Sequence, residues 1–228
     1  MLHRKALLAA AALVLAMAGQ ILALERVPAK FSYLEVRFSY AMPLGAYDGL
    51  PGFDFDFGED GLIEFDADRV YDDGFGFGLT YGQLFGANWR TSAGFDYANN
   101  KIKNPIIQQS GIYEYRIGFT DDLTYQQYDL AVHTSYSPLG LVQSTWSPYF
   151  GLGGAIGMAS ATASGYESDY EFNLAFSLDF GLDAKLWTAP DDRSFLTLAS
   201  INSWNFAASG DRVKHLQIGG GLRYFFKP

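Results

Sequence analysis

Two groups of residues in this chain have the types and spacing for chemistry. His133-Thr134-Ser135 sets a base and a hydroxyl two residues apart, and in a strand both side chains would leave the same face. With a carboxylate to orient the imidazole, such a pair could run acyl-transfer chemistry; Asp129 shares that face but stands four residues away. The second group is acidic. Asp48, Asp54, Asp56, Glu59, Asp60, Glu64, Asp66, Asp68, Asp72 and Asp73 crowd one stretch that only Arg69 offsets. Carboxylates at this density could hold Ca²⁺, which takes roughly six to eight oxygens, and Asp54, Asp56, Glu59 and Asp60 are the weak metal candidates. The EF-hand register starting at Asp56 fits Gly61 but puts Ala67 where the closing Glu belongs. Phe53 to Phe57 and Leu62 to Asp66 instead alternate about Gly58-Glu59-Asp60-Gly61, the pattern of a solvated acidic hairpin. The chain has no cysteine, so no thiol nucleophile, thiolate metal site or disulfide is available.

The elements that must position these residues are strands. Residues 32 to 42 set Leu34, Val36, Phe38, Tyr40 and Met42 against Tyr33, Glu35, Arg37 and Ser39, a period of two. The same alternation runs through 74 to 85 (Phe75, Phe77, Leu79, Tyr81 and Phe85 against Gly76, Gly78, Thr80 and Gly82), 89 to 98, 123 to 136, 148 to 159, 171 to 187, 195 to 205 and 213 to 226. Those segments make an eight-stranded, closed, antiparallel, up-and-down all-β barrel. Residues 106 to 120 also alternate and alone would make nine; since termini on one side require an even count, they either form loop structure above the membrane or pair with the acidic hairpin in a ten-stranded alternative, and eight with structured loops is preferred. The stretches 43 to 73 and 99 to 122 predict long loops, and 86 to 88 predicts a tight turn, while 137 to 147 is long for a turn.

Which face meets lipid follows from volume. An eight-stranded interior is just wide enough for side chains to fill it, and the large Phe, Leu and Tyr set would overfill it. The apolar face therefore points outward, as in outer-membrane barrels, and the inward face carries both signs of charge. Glu35, Arg37, Arg90, Asp129, Asp179, Asp183, Lys185 and Arg223, with Asp96, are expected to pair in a plugged lumen, because unpaired charges there are costly. His133 and Ser135 point inward too, where acyl-chain chemistry cannot reach them, and they read as satisfied lumen residues. Trp89, Trp146 and Trp187 fall at one end of the strands and Trp204 at the other, matching two aromatic girdles.

Residues 1 to 23 read as a cleaved signal peptide: a basic start at Arg4 and Lys5, then an apolar run too short to span a bilayer, then small residues. Residues 24 to 228 form the barrel domain. Cleavage would remove Arg4 and Lys5 from the 16 Lys and Arg residues, leaving 14 against 25 acidic ones and a net charge of −11. Nucleic acid is excluded as a partner on this balance.

Two segments carry a family resemblance. Ser147-Pro148-Tyr149-Phe150-Gly151-Leu152-Gly153-Gly154-Ala155-Ile156-Gly157 resembles the strand opening of small outer-membrane barrels of the OmpA, OmpX and OmpW type. Gly221-Leu222-Arg223-Tyr224-Phe225-Phe226 resembles their C-terminal assembly signal, with Gly221, Tyr224 and Phe226 at its marked positions; Gly219 replaces the polar residue and Lys227-Pro228 extends the end. The resemblance implies a porin-like, monomeric cell-envelope protein in the outer membrane of a Gram-negative-type bacterium, with membrane lipid, periplasmic chaperones and the barrel assembly machinery as partners. It implies no cofactor and no enzyme: Tyr136-Ser137-Pro138 does not continue the pattern of the lipid A deacylases that use a His-x-Ser pair. The expected role is structural or surface-interacting, the acidic loops meeting an extracellular ligand or host molecule. The alternatives are a narrow channel for small solutes and, third, an envelope lipid-modifying enzyme.

Overall fold

The structure, a computed structural model, describes residues 29–44, 46–47, 65–66, 70–104, 106–110, 113–117, 122–163, 166–167, 170–209 and 214–227. Eight long strands form the barrel: β1 (Ala29–Leu44), β2 (Gly74–Phe85), β3 (Trp89–Lys101), β4 (Thr124–Tyr136), β5 (Trp146–Ala163), β6 (Glu171–Thr188), β7 (Ser194–Ser209) and β8 (Lys214–Phe226). Each pairs antiparallel with its sequence neighbour, and β8 pairs back onto β1 from Ser32↔Phe226 to Leu44↔Lys214. Closure leaves no barrel strand with an open edge, the condition for a sheet to sit in hydrocarbon.

The described part of residues 106 to 120, ambiguous in the sequence, does not pair with the barrel strands. Ile106–Ser110 pairs with Tyr113–Ile117 as a separate two-stranded sheet, which removes the ten-stranded alternative. The acidic hairpin turn, with Asp54, Asp56, Glu59 and Asp60, lies outside the described residues, as does the signal segment. The two arms flanking the acidic stretch do meet, through Ala46↔Asp66 and Tyr47↔Phe65.

The alternation sorts residues as expected between two environments. Phe38, Leu130 and Phe172 are 64%, 70% and 74% exposed, while Glu35, Arg90 and Asp183 are at most 2% exposed. Phe85 departs from its expected outward place. At the foot of β2, beside the turn at residues 86 to 88 where Gly86 takes φ +63°, its ring is buried. Glycine on the inner face is what lets the large charged residues fit. A Cβ at Gly153 would overlap His133 and Ser177, and one at Gly78 would overlap Arg37 and Asp96.

The connection at residues 137–145 is long because it folds back into the barrel. Gly140, at φ +68°, turns the chain, the Leu141 amide donates to Ala87 O (3.1 Å), and the Ser137 amide donates to Asn88 O (2.8 Å). Leu141 thereby enters the turn end of the barrel and packs on Phe31, Tyr33, Leu84, Phe195 and Phe225. Phe195 and Phe225 stack at 4.4 Å, and Phe31 meets Phe195 edge-on at 5.0 Å.

Candidate functional site

Above that apolar plug the lumen holds a chain of alternating charges contributed by β1, β3, β4, β6 and β8. Arg90 (β3) donates from Nη1 to Asp183 (β6) at 2.7 Å and from Nε to Ser135 (β4) at 3.1 Å. Arg223 (β8) bridges Asp183 and Glu35 (β1). Arg37 (β1) reaches Glu35 at 3.5 Å and grips Asp96 (β3) with two nitrogens, the bidentate geometry that a guanidinium fork favours. The imidazole of His133 (β4) lies 2.7 Å from Asp179 (β6) through Nδ1 and 3.9 Å from Asp96 through Nε2. Ser203 (β7) donates to the other Asp179 oxygen at 2.6 Å.

Tyr149 of β5 completes the lower part of this network. Its ring lies 4.3 Å from the Arg90 guanidinium and 4.9 Å from that of Arg223, and its hydroxyl accepts from Arg223 and donates to Ser200 O. Both guanidiniums thus share the Tyr149 ring, whose π system attracts cations, and the Asp183 carboxylate, which offsets their mutual repulsion.

The structure thus brings Glu35, Arg37, Arg90, Asp96, Asp179, Asp183 and Arg223 into one connected network, and adds His133, Tyr149 and Ser203. Lys185, expected beside them, is placed elsewhere: it stands at the turn end, donating to Val142 O at 2.7 Å with its ammonium 5.1 Å over the Phe195 ring. Asp129 faces Asp96 across β3 and β4, lines the same small space as Arg37 and His133, and accepts from Gln127 Nε2 at 2.8 Å. Tyr149 could have been found from its inward parity next to Pro148; no period-two reading places a ring against two particular guanidiniums, because that depends on cross-barrel distances.

His133 and Ser135 do face inward, and the carboxylate on His133 is Asp179 rather than Asp129. Ser135 is engaged by Arg90. Among the described residues, two spaces beside this network measure about 20 and 30 Å³, room for a single water each.

At the loop end the lumen is covered by residues 70–73. Val70 and Tyr71 are buried, and the Tyr71 ring meets that of Tyr125 edge-on at 5.4 Å. Asn100 anchors the cover: its amide nitrogen donates to Asp72 O (3.0 Å) and Ala41 O (3.2 Å), and its oxygen accepts from His215 Nε2 at 2.9 Å. Outside, Trp89, Tyr136 and Phe150 form a row at 5.0 and 5.7 Å around the turn end, while Trp204 and Phe206 stack nearer the loops. The C-terminal Tyr224 and Phe226 stack at 6.0 Å, Tyr224 facing outward, and Gly221 pairs with both Arg37 and Ala199.

An apolar, aromatic-rimmed outer wall around a charged, filled interior defines the class: a transmembrane β-barrel of the outer-membrane type. No protein-family model matches the sequence, and no curated protein matches it. Among solved structures, Neisserial surface protein A is similar at 15% identity, covering 87% of this chain and 96% of its own, with a TM-score of 0.49. The outer membrane protein OprG from Pseudomonas aeruginosa is similar at 15% identity, with coverage of 88% and 97% and a TM-score of 0.48. Ail, the attachment invasion locus protein of Yersinia pestis, gives 15% identity, 87% and 100% coverage, and a TM-score of 0.43.

Proposed function

We propose that this protein serves the outer membrane as a closed-lumen barrel, a structural and surface-interaction element that conducts nothing of its own. The observation that carries this reading is the filled lumen. A continuous network of side chains crosses the barrel, two adjoining spaces have room for one water each, Leu141 packs into the turn end and Tyr71 is buried at the loop end. In this orientation the turn end faces the periplasm and the loop end the exterior. The acidic stretch from Asp48 to Asp73 then lies on the outer side, where it would meet cations, a host molecule or a neighbouring envelope component.

A non-catalytic role fits the placement of His133 and Ser135, which are tied to Asp179 and Arg90 deep in the wall with no space for an acyl chain beside them. Gly221, Tyr224 and Phe226 sit on the closing strand, where the assembly machinery and periplasmic chaperones would read them before closure. The test is planar-bilayer recording of the refolded chain. The barrel should give no steady unitary conductance; regular single-channel steps would overturn the closed-lumen reading in favour of a narrow solute conduit.

A further inference from the structure

The outer wall carries one polar interruption that neither the lumen network nor the aromatic rims use. Ser200 and Asn202 face outward from the middle of β7, between Leu198 and Trp204, and Ser200 pairs across the sheet with Gly220, the central residue of β8. At that height the other described strands present apolar residues or glycine outward, from Phe38 on β1 to Phe180 on β6. We infer that this face docks a second copy of the chain inside the membrane, giving a two-fold pair in place of the monomer that the family resemblance implies.

Depth gives the first reason. Gly220 stands midway between the two ends of β8, which for a tilted strand puts about 15 Å of membrane on either side of it. That is the middle of the hydrocarbon core, beyond the reach of headgroups and water. The Asn202 amide donates one N–H to Phe180 O at 3.2 Å and keeps a second N–H and its carbonyl oxygen. The exposed Ser200 hydroxyl has no hydrogen-bond partner among the described residues. Polar groups left in hydrocarbon are costly, and at such depth they mark contact sites.

Self-complementarity gives the second reason and names the occupant. A hydroxyl and an amide each both donate and accept, so this patch can satisfy a copy of itself. Both copies enter the membrane in one orientation, so their two-fold axis runs along the membrane normal and each residue meets the partner at its own depth. An axis through Ser200 and Asn202 sets these side chains against their equals. The surface also permits close approach, because Ser200 and Gly220 form a shallow step beside Phe38, which is 64% exposed, and small polar residues let membrane segments pack closely. The barrel itself does not require glycine there: a Cβ at Gly220 would meet only Ala199 O, at 3.3 Å.

Because the chain has no cysteine, cross-linking is a direct test. S200C and, on β3 across the barrel, A93C would be reconstituted separately at high dilution in phosphatidylcholine vesicles and oxidised. S200C should yield a disulfide-linked dimer and A93C should not; equal yields mean random collision and overturn the inference. In the same vesicles, chains carrying donor and acceptor dyes should show energy transfer that persists on dilution with lipid. S200L/N202L should need about tenfold more protein per lipid to reach the same transfer. Transfer that falls on dilution as for non-interacting barrels, or that is unchanged in S200L/N202L, overturns the inference as well. Folding of each variant is checked by the heat-dependent gel shift of a barrel, and if the double variant fails it, S200L alone is read the same way. The pairing leaves the lumen untouched, so bilayer recordings test the closed-lumen reading separately.

Discussion

The two mouths of the barrel are closed by different physics. At the turn end Leu141 is pressed among five buried apolar side chains, four of them aromatic, carried on the barrel strands. At the loop end the covering segment is tied by hydrogen bonds: Asn100 to Asp72 O, the Asp72 amide to Lys101 O at 2.8 Å, and Tyr40 to Asp73. Apolar burial is non-directional and scales with area, whereas a hydrogen-bonded cover depends on a few oriented groups that water can replace. The turn end is therefore a stopper held by apolar area, whereas the loop end adds to the burial of Val70 and Tyr71 a set of oriented hydrogen bonds that can be loosened. The charge network belongs with the stopper, because Arg223 and Arg90 sit on the Tyr149 slab just above the apolar plug.

Four substitutions would break or sharpen this contrast. Arg223→Met strands Glu35 and Asp183 with half their cationic partners removed, and urea unfolding should show a loss of about 3–5 kcal/mol, the usual cost of breaking a buried pair. A loss under about 1 kcal/mol, the range of exposed pairs, would mean that the lumen is wetter than its packing implies. Leu141→Ala should cost about 2–5 kcal/mol by the same measurement, and it should still leave bilayer recordings silent, because the arginine layer behind it is intact. Conductance appearing in this variant would locate the whole barrier in one residue.

At the other mouth, Asn100→Ala removes the anchor for Asp72 O and leaves His215 Nε2 without its amide acceptor. A cost of about 1–3 kcal/mol is expected, and hydrogen exchange should accelerate at Val70 to Asp72 without change at Leu141. Parallel acceleration at both mouths would show that the two closures are coupled. The smallest effect is reserved for Lys103→Ala. Its 3.8 Å pair with Asp72 is largely exposed, so the change should stay within about 0–1 kcal/mol, and a larger one would mark the cover as electrostatically held.

Much of the wall was legible in the sequence and much of the interior was not. Period-two alternation places Leu34 outside and Glu35 inside from residue type alone, and the bounds of β2 and β4 come within a residue of those expected. Residues 106 to 120 are harder, since alternation is the same in a barrel strand and in a loop hairpin; pairing partners decide, and those are not written locally. Lys185 shows a second limit. Its parity is inward, but the register of β6 and β7 shifts between Lys185 and Trp187 and the strand is ending, so it meets the turn and not the network. The long 137–145 connection looked like an irregular turn because nothing in Ser137-Pro138-Leu139-Gly140-Leu141 says that a leucine will re-enter the barrel.

The seam between β1 and β8 has a consequence for how the molecule comes into being. The first and last strands are immediate neighbours along thirteen matched positions, Ser32↔Phe226 to Leu44↔Lys214. Contacts that far apart along the chain are slow to form, and until they do both flanking strands expose unpaired amides and carbonyls that hydrocarbon cannot satisfy. The ring thus cannot be sealed from its first strands alone: Lys214 to Phe226 must have arrived before β1 has its second partner, so closure waits for the eighth strand.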